Sequence, residues 1–314
     1  MSRNGTTWQP DGSGWRARIG VLTHDDSAIS ESELWTMAPA GVSLHTSRVF
    51  FADLATFADP PGPDNATELL ARLPLQAIIY AWTVGSYLLG TTGEEKLVSR
   101  VEQHSNGIPV LMSAPAATAG LRTLEAERIA LIHAPFFTDD FDQKGAAYFQ
   151  ERGFEVVHVS HLMPPVEVPH PNTGSVADPA EIYEWVRSHV PPSAQAVFIG
   201  GNALRAIGLI AALEDDLRRP VLTANQVSLW YALRVAGAEV SVDDYGQLFK
   251  LPCRQSEIPS PRETLWNTKS PTQHGADPTR FMTHVAMQDV DDQGNQATWA
   301  DHVTDEEYNT ATDA

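Results

Sequence analysis

The run from Val197 to Gly237 restricts the fold of this chain more than any other stretch. An apolar segment, residues 194–199, breaks at Gly200 and Gly201 and gives way to a helical spacing of Leu204, Ile207, Ile210 and Leu213. A short apolar run that changes to helical periodicity across paired glycines reads as a buried strand feeding a helix. Unobstructed backbone at Gly200, Gly201 and Asn202, with the first helical N–H groups pointing out of the helix end, makes a site for a carboxylate or phosphate that needs no charged side chain. A loop of the same design, Ala-Trp-Thr-Val-Gly-Ser at residues 81–86, follows the apolar run 76–80.

The alternation extends along most of the chain. Strands are expected at residues 18–23, 42–50, 76–80, 109–112, 128–133 and 155–159, and helices at 29–37, 66–73, 94–106, 114–124, 140–152 and 179–189, with 60–64 as a linker. Strands alternating with helices predict parallel sheets, and two like loops about half a domain apart suggest a duplicated α/β unit. In such sheets polar side chains at the carboxyl ends of strands face a crevice. His24, Asp25, Asp26 and Ser27 take that position after the first strand, and His133 after the fifth.

The chain has 314 residues, 21 basic and 40 acidic, for a net charge of -19. A field of that sign repels phosphate backbones and anionic bilayers, which sets aside nucleic-acid and membrane-surface partners. No apolar stretch approaches the roughly 20 residues of a membrane span. The opening Met-Ser-Arg-Asn-Gly-Thr-Thr has no apolar core, so the expected location is cytoplasmic. The single cysteine, Cys253, permits neither an intrachain disulfide nor a cysteine metal cluster and is read as a spectator. Beyond Leu251 prolines and acidic residues dominate, as in a solvated tail. A second reading has Trp266, Phe281 and Trp299 anchoring that tail over the cleft or a neighbouring subunit.

Leu204-Arg205, Pro220-Val221, Asn225-Gln226 and Trp230, together with Thr83, Gly85 and Ser86 and the opening Ile19-Gly20, carry a resemblance. The chain is similar to the maleate isomerase and arylmalonate decarboxylase group of the aspartate/glutamate racemase superfamily. The resemblance covers about residues 18–248 and implies two similar α/β lobes related by a pseudo-twofold axis, with the active site in the cleft between them. The expected division is 1–112 and 113–223 for the lobes, 224–250 for a helix returning to the first lobe, and 251–314 for the extension. It also implies cofactor-independent chemistry on a small carboxylated metabolite, and a homodimer. Departures from the pattern fall on its reactive groups. Trp82 and Gly201 stand where the group has cysteines, Phe136 where it has a tyrosine, and His24, Asp25, Asp26 and Ser27 where it has Pro-Ser-Ser-Asn.

Thiol chemistry is therefore absent, and three readings remain. In the first, an isomerase or lyase uses His24, Asp25 and Asp26 as acid and base, with His133 as a further base. Like charges held together raise one carboxyl pKa toward the range where it transfers protons. Ser27, Trp82, Thr83, Val84, Gly85, Ser86, Phe136, Gly200, Gly201 and Asn202 then bind substrate, the hydroxyls and N–H groups as a carboxylate cradle. In the second, His24, Asp25, Asp26 and His133 hold a divalent metal for hydration or hydrolysis. In the third, the chain binds a carboxylate or a partner protein without catalysis.

Overall fold

The computed structural model describes residues 14–53, 56–163, 173–252 and 257–258. Cys253, Trp266, Phe281, Trp299 and nearly all of the C-terminal extension lie outside the described residues.

Among the described residues, eight strands form two four-stranded parallel sheets. The first sheet contains β1 (Ala17–His24), β2 (Val42–Val49), β3 (Ala77–Tyr80) and β4 (Val110–Met112), in the order β2-β1-β3-β4. The second contains β5 (Arg128–His133), β6 (Glu155–His161), β7 (Ala196–Gly200) and β8 (Val221–Thr223), in the order β6-β5-β7-β8. The two sheets are built alike: the first strand of each pairs on one side with the second strand and on the other with the third. The duplication and the α/β class expected from the two glycine loops are both present.

Helices α1 (Ile29–Met37), α2 (Gly62–Leu70), α3 (Thr83–Glu102) and α4 (Ser113–Thr123) follow the strands of the first sheet in turn. In the second half come α5 (Asp139–Gln150), α6 (Thr173–Val176), α7 (Pro179–His189), α8 (Ile210–Leu217) and α9 (Ala224–Val235). Ile19, Val21 and Leu22 of β1, Ile78 and Ile79 of β3, and Ile129, Leu131 and Ile132 of β5 are all fully buried. Burial of consecutive residues on both faces explains why these strands read as continuous apolar runs rather than alternating ones. The last helix, α9, is buried from Ala224 to Arg234 and packs against α1, α4 and β3 of the first half. Its start is fixed by a capping box between Thr223 and Gln226.

Three expected boundaries shift, and two of them bear on the site. Helix α3 begins at Thr83, eleven residues before the expected start, and is interrupted at Gly90, whose φ is 62°. Helix α2 starts inside the expected linker, where Pro63 fits the first turn because its missing N–H needs no partner there. Helix α8 begins at Ile210, preceded by one 3₁₀ turn at Ile207–Leu209, so an irregular loop separates Gly201 from the helix. No helix among the described residues is long and apolar enough to cross a membrane.

Candidate functional site

The carboxyl ends of β1, β3, β5 and β7 converge on one cavity of about 540 Å³. Its walls come from four segments: 23–30 after β1, 81–84 after β3, Phe136 and Phe141 after β5, and 201–203 after β7, with Phe51 to Asp53 and Ser175 at its edge. Of the residues expected to form a site, His24, Asp26, Ser27, Trp82, Thr83, Val84, Phe136, Gly201 and Asn202 line this cavity. Asp25, Gly85, Ser86, His133 and Gly200 do not.

His24 ends β1 sandwiched by rings, stacked on Phe51 at 4.1 Å and edge-on to Phe57 at 4.1 Å between centroids. Burial among these rings pushes its pKa down to about 4, against the opposing charge of Asp25. At neutral pH the imidazole is uncharged. The turn after it is held from β2 by Arg48, whose Nη1 donates to the carbonyls of His24, Asp25 and Ser27, while Nη2 meets Glu31 Oε2 at 2.6 Å. Asp25 is turned to brace this corner: its Oδ1 accepts from the backbone N–H of Phe51 at 3.0 Å. The expected pairing of Asp25 with Asp26 therefore dissolves, and Asp26 alone lines the cavity. Neither is the N-cap of α1, which is Ala28 and carries no side-chain bond.

His133 is corrected from a cleft residue to a core one. The chain turns sharply after it, so Phe136 enters the cavity while Phe137 stacks over the imidazole at 4.4 Å. Its Nδ1 lies 2.6 Å from Asp142 Oδ1, and the other oxygen of Asp142 is 2.6 Å from His161 Nδ1. Burial lowers the His133 pKa, against the bonds and charge of Asp142. Gly200 and Gly145 make room for the ring, since a Cβ on either would stand 2.7 and 2.9 Å from its carbons. Among the described residues the candidate metal ligands that come together are Asp139, Asp142 and His161, all within 4.8 Å, and not the expected set of His24, Asp25, Asp26 and His133. Sequence gave no signal for Asp142 or His161, which are ordinary polar residues of α5 and β6.

Both positions that lack cysteine are closed. Gly201 has φ 121°, a conformation that disfavours any side chain, and a Cβ there would stand 2.7 Å from Ala134 Cβ and 3.2 Å from Phe136 Cζ. Trp82 is 3% exposed and lies across Gly85, so its indole occupies the volume beside the second position. The ring belongs to an aromatic group with Phe57 and Tyr80 and presents the rest of its surface to the cavity.

The cradle differs from its expected form at three points. Thr83 opens α3, but its N–H and hydroxyl both donate to Asn202 Oδ1, at 3.0 and 2.8 Å. Ser86 is fully buried beside Glu94, away from the cavity. The N–H groups that begin the turn after the glycine loop, those of Ala206 and Ile207, already hold an anion: Glu33 Oε1 accepts from them at 2.7 and 3.1 Å. The anion site expected at the glycine loop thus has a counterpart a few residues later, and there the chain supplies its own carboxylate.

Comparison with known proteins agrees with this architecture. Residues 64–249 match the family model described as arylmalonate decarboxylase. A maleate isomerase of Geobacillus stearothermophilus is 30% identical over 248 residues, which cover 74% of this chain and 96% of that protein. Among solved structures, the maleate isomerase of Pseudomonas putida S16 with maleate superposes with a TM-score of 0.66 at 19% identity, over 74% of this chain and 97% of the other. A crystal structure of arylmalonate decarboxylase gives 0.61 at 18% identity, over 74% and 99%. With two equivalent sheets, a cavity at their strand ends and a sequence match over most of the chain, the protein belongs to the arylmalonate decarboxylase and maleate isomerase family.

Proposed function

We propose that the chain is a cofactor-independent isomerase or decarboxylase acting on a small carboxylic acid with an aromatic or similarly flat apolar body, and that His24 and Asp26 do the proton transfer a thiol does elsewhere. The observation that carries this reading is the composition of the cavity. His24 and Asp26 share it with the start of α3, and no nucleophilic sulfur is present at either family position.

Substrate class follows from what lines the walls. Phe51, Trp82, Phe136 and Phe141 supply ring surface, and among the described residues no lysine or arginine lines the cavity. Asp26 and Asp53 make a second ligand carboxylate costly, so a monoanion with a flat body fits better than a compact dianion such as maleate. The N–H of Val84, next after Thr83 in the first turn of α3 and at the cavity wall, is the donor for the one carboxylate. A neutral imidazole of low pKa is a weak base on its own. A bound carboxylate adds to the charge of Asp25 in raising its proton affinity, which brings it toward the range useful for accepting and returning a proton at the adjacent carbon.

Proton NMR in deuterated buffer tests the reading with the monoanions phenylacetate and 2-phenylpropionate as probes, and with phenylmalonate as the dianion expected to react more slowly. Deuterium entering the carbon next to the carboxylate, or release of CO₂, is the expected result. His24→Ala should lower the rate by about 10²-fold or more, the usual weight of a positioned acid–base group. No exchange and no CO₂ with any of the three, or a rate untouched in His24→Ala and Asp26→Asn, would remove the proposal.

A further inference from the structure

The buried carboxylate of Glu33 lies outside the cavity yet ends a chain of hydrogen bonds that begins in it. Thr83 N–H can only donate, so Asn202 must present Oδ1 to it, at 3.0 Å. That leaves Asn202 Nδ2 to donate to Asn225 Oδ1, also at 3.0 Å. Asn225 Nδ2 then faces two acceptors, Glu33 Oε2 at 2.7 Å and the Asn202 carbonyl at 2.9 Å. The other Glu33 oxygen takes the N–H groups of Ala206 and Ile207. Every bond to this carboxylate comes from a donor, so the chain is held most strongly when the group is ionised.

We infer that Glu33 is a positioning residue for the ligand cavity: through Asn225 it fixes the orientation of Asn202 and thereby the Thr83 turn that opens α3. The four residues come from four elements, α1, α9, the loop after β7 and the start of α3, and tie the two halves of the molecule together at the cleft. The role deepens the reading above, since it concerns the same turn that would hold the substrate carboxylate.

The arrangement is sensitive to protonation. Burial drives the Glu33 pKa up to about 7, against the bonds from Asn225, Ile207 and Ala206 and the charge of Arg205. Around it α1 contributes Ile29 and Ser32, α7 contributes Pro179, and the loop before α8 contributes Arg205, the charged side chain that couples to it. A proton on Glu33 removes the charge that strengthens the bonds it accepts, and the links to Asn225, Ala206 and Ile207 weaken together. Glu33→Gln has the same shape and lacks that charge at every pH.

The test is the Thr83 amide resonance of the full-length protein labelled with ¹⁵N-threonine, assigned through Thr83→Ser. In the wild type it should shift with a midpoint near pH 7, the value to which burial raises Glu33. In Glu33→Gln it should stay at the wild type's acid position from about pH 5.5 to about pH 8.5. A wild-type resonance that does not move through this range overturns the inference, and so does a titration that persists in Glu33→Gln. The wild-type titration stands alone if the variant fails to fold. Because the readout needs no substrate, a titrating Thr83 with no turnover on any probe would sink the proposed reaction and leave the positioning role standing.

Discussion

Gly201 shows how a single residue can decide which chemistry a family member retains. Restoring a cysteine there meets both an unfavourable backbone conformation, with φ 121°, and the methyl of Ala134 at 2.7 Å. A non-glycine residue in such a region costs on the order of 2 kcal/mol, to which the steric contact adds. Gly201→Cys is therefore expected to lower the thermal midpoint by several degrees without producing thiol-dependent turnover of maleate. Calorimetry and a maleate–fumarate assay check the two halves. Unchanged stability together with isomerisation of maleate would show that the site is an ordinary thiol site missing only the cysteine side chain. The same residue-scale logic explains what sequence did reveal: His24, Asp26, Trp82, Thr83 and Gly201 all lie at strand exits, and strand exits are marked by the end of an apolar run. Glu33 was invisible for the opposite reason. Its partners Asn225, Ala206 and Ile207 are distant in sequence, and nothing local to α1 distinguishes a buried glutamate from an exposed one.

At the scale of elements, two imidazoles at equivalent strand ends have been put to opposite uses. β1 and β5 occupy the same place in their sheets, and each ends in a histidine. After β1 the chain turns at 24–27 and leaves His24 in the cavity wall. After β5 it turns at Ala134 and folds Phe137 over His133, which donates to the Asp142 carboxylate of α5. Strand periodicity alone treats the two ends as equal, because the difference lies in how the next few residues pack. The consequence is measurable. His133→Ala should empty a buried site and strip a partner from Asp142, destabilising the protein by about 2–4 kcal/mol by the scale of buried large-to-small changes. Turnover per folded molecule should stay within a few-fold of the wild type, in contrast to His24→Ala. Denaturant unfolding and an active-site-normalised rate make the comparison, and a large rate loss without loss of stability would return His133 to the catalytic set.

For the whole molecule, the cavity and its support impose opposing dependences on pH. Glu33 has its pKa raised from 4.5 to about 7 by burial, so the folded state binds the extra proton between those values and stability falls as pH rises through them. His24 has its pKa lowered from 6.5 to about 4, again by burial, so the unfolded state binds the extra proton and stability rises with pH across that window, fully present above 6.5. Each shift corresponds to about 3 kcal/mol between the ends of its window. The two windows overlap, and in the wild type the slopes largely cancel. Separate substitutions should uncover them. Relative to wild type, Glu33→Gln should gain stability steadily from about pH 4.5 to about pH 7, and His24→Phe should lose its relative advantage from about pH 4 to about pH 6.5. Differences between variant and wild type in denaturant midpoint, followed across pH, isolate each group from every other titration in the protein. Parallel curves for Glu33→Gln and wild type would mean that Glu33 titrates alike in the folded and unfolded states, with no rise on burial. The carboxylate would then be ionised through the neutral range, held so by the three N–H groups that converge on it, and the Thr83 amide would not titrate there.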